Sequence, residues 1–110
     1  KEVDFFVVVT NDSWFGDTIG PYQHFYHNIL RSVETGRYFL QIGLTGVTGI
    51  INPDGIVESI LEINGKKLFV EGSLIYTLKV FTYETFYSKY SIYPFFLFCL
   101  FLTGFIICRK

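Results

Sequence analysis

Thr10-Asn11-Asp12-Ser13-Trp14-Phe15-Gly16-Asp17-Thr18-Ile19-Gly20-Pro21-Tyr22-Gln23-His24 is where one hydrophobic pattern ends and another begins. Upstream, Phe5-Phe6-Val7-Val8-Val9 is an unbroken apolar run, largely β-branched, which predicts a central strand covered on both faces. Downstream, Pro21 occupies a first-helical position. Tyr22, Phe25, Tyr26, Ile29, Leu30 and Val33 then recur at the spacing of one helical face. Gln23, His24, His27, Asn28, Arg31, Ser32 and Thr35 fall on the other face, and Gly36 stops the helix. A strand, a polar loop holding the chain's only Trp and an amphipathic helix make an α/β unit. The loop between two rigid elements is where function is expected.

Working outward, Tyr38–Leu44, Val47–Asn52, Ile56–Ile63 and Lys67–Tyr76 read as further strands. Pro53-Asp54-Gly55 is a turn between two of them, because Pro presets φ and Gly accepts a positive one. Asn64-Gly65 marks the next turn. Residues 83–89 form a polar-aromatic connector. Ile92–Cys108 carries no charge, follows Tyr87, Tyr90 and Tyr93, and is closed by Arg109-Lys110. That pattern predicts a transmembrane helix with an interfacial aromatic belt, its two cations on the cytoplasmic side and residues 1–88 outside; a buried core helix is the alternative.

With 110 residues the chain is one domain or part of one. Its net charge of -1 leaves no basic surface for a nucleic acid. Methionine is absent and Lys1 comes first, so the sequence is expected to be truncated or processed at its front; no signal peptide is visible. Cys99 and Cys108 lie in the apolar run at a spacing that separates them along a helix, which argues against a disulfide. His24 and His27 lack a third ligand of suitable spacing, so no metal is expected. Glu34 and Arg37 are spaced for an ion pair at the helix end.

Four signals in order carry a resemblance: Asn11-Asp12-Ser13-Trp14-Phe15-Gly16; Gly20-Pro21-Tyr22-Gln23-His24 with Arg31-Ser32-Val33-Glu34-Thr35-Gly36-Arg37; Gly46-Val47-Thr48-Gly49-Ile50-Ile51-Asn52-Pro53-Asp54-Gly55; and the closing apolar helix. Together they resemble the apolipoprotein N-acyltransferases, membrane enzymes of the nitrilase (carbon–nitrogen hydrolase) superfamily. The resemblance implies a partial nitrilase-like αββα sandwich over residues 1–88, followed by one C-terminal transmembrane helix over 89–110. It implies a location in the bacterial inner membrane, with the sandwich on the periplasmic side. The implied reaction moves a fatty acyl chain from a phospholipid donor, through a cysteine thioester, to the N-terminal diacylglyceryl-cysteine of an apolipoprotein. No cofactor is implied.

The family's catalytic Glu, Lys and Cys lie upstream of the matching region, so no catalytic residue transfers to this sequence and the chain alone is expected to be inactive. The candidates for contact with substrate or support of the site are Asn11, Asp12, Trp14, Phe15, Gln23 and His24. Trp14 and Phe15 suit an apolar wall beside an acyl chain, or a loop anchor packed on the core. Asn11 and Asp12 suit either an ordered site floor or an Asx turn. Gln23 and His24 suit a headgroup contact at the helix start, or packing and capping. Leu44-Thr45-Gly46 departs from an Asn-Asn-Gly type segment of the family. Two other readings remain open: a non-catalytic membrane-anchored module that pairs with the rest of a split enzyme, and part of another nitrilase-like amidohydrolase.

Overall fold

The computed structural model describes residues 3–80 and 83–109; Lys1 and Lys110, the expected front residue and second terminal cation, lie outside them. Four strands form one mixed sheet in the order β1-β2-β3-β4: β1 (Phe5–Thr10), β2 (Tyr38–Gly43), β3 (Gly49–Ile51) and β4 (Val57–Ile60). β1 runs parallel to β2, with Phe6 opposite Phe39 and Val8 opposite Gln41. The parallel pairing requires a crossover, and helix α1 (Gly20–Thr35) supplies it. β2, β3 and β4 then form an antiparallel meander.

Pro21 sits in the first turn of α1, and Gly36 ends the helix in the left-handed conformation at φ 65°, as expected of these residues. Period-2 alternation sorts β1 by face. Phe6 and Val8 pack on the core of Phe25, Phe39, Val47, Ile51 and Leu68, and Phe6 stacks on Phe39 at 4.8 Å. Phe5, Val7 and Val9 point the other way and are exposed. The expectation of a central strand covered on both faces is therefore corrected: among the described residues β1 is an edge strand covered on one face.

The helical face is borne out in part: Phe25 is in the core and Tyr22 and Ile29 pack against it, whereas Tyr26, Leu30 and Val33 are exposed and Asn28 and Ser32 are buried instead. The reason is a polar partner on the sheet. Asn28 Nδ2 donates to Gln41 Oε1 at 2.5 Å, and Gln41 Nε2 donates to the Val47 carbonyl at 3.2 Å. Buried amides with partners are tolerated in a core, so the helix turns its small polar stripe inward.

Lys67–Tyr76 is not a strand. Phe69 adopts a left-handed φ of 54°, which an extended strand forbids. Its N–H donates to the Thr45 carbonyl at 3.1 Å, and Leu68 plugs the core. At the helix end Glu34 pairs with Arg31 at 2.6 Å rather than with Arg37. Arg37 instead donates to the carbonyls of Val3 (2.6 Å), Gly36 (3.0 Å) and Tyr83 (2.8 Å).

The C-terminal region is two helices, α2 (Phe86–Tyr90) and α3 (Tyr93–Cys108). Thr85 caps α2 by accepting from the Ser88 N–H at 3.0 Å, and Ser91 breaks the run with a φ of 50°. The 16 residues of α3 extend about 24 Å at the α-helical rise, against a bilayer core of about 30 Å. The expected transmembrane helix over 89–110 is thus corrected: no helix among the described residues is long and apolar enough to cross a membrane. Its side chains nevertheless carry no charge and are mostly exposed.

Candidate functional site

The loop leaving β1 is built from local hydrogen bonds. Asn11 Oδ1 accepts the Ser13 N–H at 3.2 Å, an Asx turn. The Asp12 carbonyl accepts the Phe15 N–H at 3.0 Å, which closes the short 3-10 helix Ser13–Phe15. Thr18 bridges the rest, donating its hydroxyl to the Phe15 carbonyl at 2.7 Å and accepting the Gly20 N–H at 3.2 Å.

Asp12 is buried, only 1% exposed. Its carboxylate meets His24 Nδ1 at 2.8 Å and accepts the Thr10 hydroxyl at 3.2 Å. A buried carboxylate is tolerable when a protonic partner and hydrogen bonds compensate it. The β2–β3 turn closes over it through Gly46, where a Cβ would come within 2.9 Å of Asp12 Cγ and still nearer to Oδ2. Gly46 is thus needed for close approach, a role its place beside a turn did not announce. Next to it, the Thr45 hydroxyl is buried and has no hydrogen-bond partner among the described residues.

On the solvent side Phe15 lies edge-on to His24, ring centroids 6.5 Å apart, and Trp14 lies edge-on to Phe15 at 6.0 Å. Phe15 also packs against Gly20, where a Cβ would collide with its ring. Trp14, Phe15, Gly20, Gln23, His24 and His27 line a shallow cleft of about 270 Å³. Trp14 is 83% exposed, so it is not a loop anchor packed on the core.

Five of the six candidates therefore surround one place: Trp14, Phe15, Gln23 and His24 line the cleft, and Asp12 lies beneath it. Asn11 serves its own turn. The Asp12–His24 pairing was not visible in the sequence, because the eleven intervening residues include the loop and the helix start. Elsewhere, Asn52 Oδ1 accepts the N–H groups of Asp54 and Ile56 at 3.0 and 2.9 Å, while its Nδ2 donates to Glu58 at 2.7 Å. Shielding from water pushes the Tyr76 phenol above its ordinary range, and hydrogen bonding to Glu58 and that carboxylate's charge push it the same way. These groups brace the β3–β4 hairpin and lie outside the cleft.

About half of this chain or more has counterparts in curated proteins, among them apolipoprotein N-acyltransferases. The protein of that name from Wigglesworthia glossinidia brevipalpis is 48% identical over 56 residues, which is 51% of this chain and 11% of the relative. The one from Methylococcus capsulatus is 53% identical over 51 residues, 46% of this chain and 10% of the relative. The one from Rhizobium rhizogenes is 39% identical over 74 residues, 67% of this chain and 14% of the relative. This chain thus matches only about a tenth to a seventh of the length of these apolipoprotein N-acyltransferases. No protein-family model matches it.

Proposed function

We propose that this chain is the C-terminal part of an apolipoprotein N-acyltransferase, with residues 1–88 belonging to a nitrilase-like sandwich and residues 89–110 to a membrane-associated end. The observation that carries the reading is the similarity to apolipoprotein N-acyltransferases at 39–53% identity over 51–74 residues. The reaction proposed for the complete enzyme passes an acyl chain from a phospholipid to a cysteine thiolate and then to the α-amino group of a lipoprotein's diacylglyceryl-cysteine. Dividing the transfer through a covalent intermediate replaces one difficult step by two easier ones. The two cysteines of this sequence lie in α3, outside the cleft, so the proposed nucleophile belongs to another part of the polypeptide.

The cleft of Trp14, Phe15, Gln23 and His24 is this chain's proposed contribution to substrate contact. The aromatic pair offers an apolar wall to an acyl chain, and the helix start offers polar groups to an oxygen-rich head. α3 supports a place at the bacterial inner membrane. An all-apolar helix without a covering partner gains by immersion in lipid, because its backbone is already hydrogen-bonded internally and its side chains leave water. Even the Thr103 hydroxyl is satisfied within the helix, donating to the Cys99 carbonyl at 2.8 Å.

The test is acyl transfer by the full translation product that contains this segment, purified with its membrane and offered a phospholipid and a diacylglyceryl-cysteine peptide. Formation of the N-acylated peptide is expected. An intact product that forms neither an acyl-enzyme nor the N-acylated peptide refutes the reading. The 110-residue chain alone is expected to form neither.

A further inference from the structure

We infer that Asp12 and His24 are a positioning pair: the buried carboxylate orients the imidazole, and the imidazole in turn holds the Trp14–Phe15 turn as the wall of the cleft. Three segments meet at Asp12. Its carboxylate accepts the Thr10 hydroxyl at the end of β1, engages His24 Nδ1 in the first turns of α1, and is covered by Gly46 in the β2–β3 turn. The carboxylate is sealed from water while the His24 side chain is 43% exposed. The pair therefore has a fixed end in the protein and an open end at the cleft.

The fixed end sets the ring. A carboxylate on Nδ1 selects the form that carries a proton there and leaves Nε2 for other partners. Nδ1 is the buried contact, so the exposed part of the ring lies on the cleft side with Phe15, Gln23 and His27. Phe15 leans edge-on against this ring on one side and against Gly20 on the other. Trp14 adjoins Phe15 within the same 3-10 turn and lies edge-on to it. Removing the orientation of His24 releases the surface on which Phe15 rests, and Trp14 moves with it. The ring contact that holds Trp14, itself 83% exposed, is with Phe15, so restraint of the indole runs through Phe15.

This inference concerns the geometry of the cleft and holds or fails separately from the acyltransferase reading. Trp14 is the chain's only tryptophan, so its fluorescence anisotropy reports the turn without labelling. The experiment compares time-resolved Trp14 anisotropy in the full 110-residue chain, in detergent micelles, with that of Asp12→Asn and His24→Gln, using far-UV circular dichroism to establish that each is folded. The native chain is expected to show little nanosecond motion of the indole. Both variants are expected to gain a fast phase of at least about twofold larger amplitude, as a loosened loop samples nanosecond motion. Folded variants with native anisotropy overturn the proposal, since the pair would then fasten the fold without setting the turn.

A second measurement needs no variant. Nitrogen-15 spectra of the imidazoles, assigned by correlation to the backbone of the uniformly labelled native chain, are expected to show the His24 proton held on Nδ1. A His24 proton found on Nε2, with Nδ1 bare, overturns the proposal even if every variant fails to fold.

Discussion

Replacing Asn28 by Leu tests whether the buried amide chain, rather than the apolar stripe, decides how α1 sits on the sheet. Asn28 is 8% exposed and Gln41 1% exposed. The amide of Asn28 donates to Gln41 at 2.5 Å, and Gln41 donates onward to the Val47 carbonyl at 3.2 Å. Leu shares the branched skeleton of Asn but is bulkier, so overpacking adds to the loss of the donor. Gln41 Oε1 is then buried without a partner, a penalty of about 1–3 kcal/mol. Gln41→Leu strands two groups, the Asn28 amide and the Val47 carbonyl, and is expected to cost more, about 2–4 kcal/mol on the same scale. The double variant strands only Val47, so it is expected to be no less stable than Gln41→Leu, with a coupling at least as large as the cost of Asn28→Leu alone, about 1–3 kcal/mol. Urea unfolding followed by far-UV circular dichroism measures these differences as midpoint shifts. With a slope of about 1–2 kcal/mol per molar for a small domain, Asn28→Leu lowers the midpoint by about 1 M. A midpoint change equivalent to less than about 0.5 kcal/mol, the size of an ordinary surface substitution, refutes the inward-facing polar stripe. So does simple additivity of the two changes.

Gly46→Ala drives a methyl group into the Asp12 carboxylate and is expected to cost about 2 kcal/mol or more in chemical unfolding; the cost is expected to shrink when Asp12 is also Ala. Thr45→Val removes a buried hydroxyl that has no partner among the described residues and is expected to stabilise the fold by about 1 kcal/mol, seen as a higher thermal midpoint. Phe101→Lys places a charge in the middle of α3, where Phe101 is 70% exposed. It is expected to weaken binding to phospholipid vesicles by about tenfold or more in a flotation assay, in line with a penalty of about 2.5–3.5 kcal/mol for a charge at the centre of an inserted helix.

The punctuation of the fold was legible in the sequence because it is local chemistry. Pro21 and Gly36 bound α1, and Gly55 turns the β3–β4 hairpin with a φ of 80°. What was illegible depended on partners distant in sequence. Of the expected core face, Tyr22, Phe25 and Ile29 do pack on the core, but Gln41 supplies a partner for Asn28 from the sheet and the other edge of the face, Tyr26, Leu30 and Val33, stays exposed. Leu68 and Phe69 look like strand residues, yet the backbone bends there so that one fills the core and the other reaches Thr45. The apolar run Ile92–Cys108 corresponds to α3 within one residue, but Ser91 separates it from α2, so the helix falls short of the expected membrane span. At the site, residue types in the loop identified the region. The contact between Asp12 and His24 exists only because the crossover brings the start of α1 back beside the end of β1.

That crossover also sets an order of assembly. Gln41 pairs with Gly49 across a short turn, and Gly49 with Ile60 across the next, so the meander closes small loops. Phe5 pairs with Tyr38 only after all of α1 has been spanned, and closing a longer loop costs more chain entropy before any contact repays it. β1 is therefore expected to dock late, onto a meander and helix already in place. Thr10 and Asp12 travel with it, so the cleft is among the last parts of the chain to take shape and among the first to come apart.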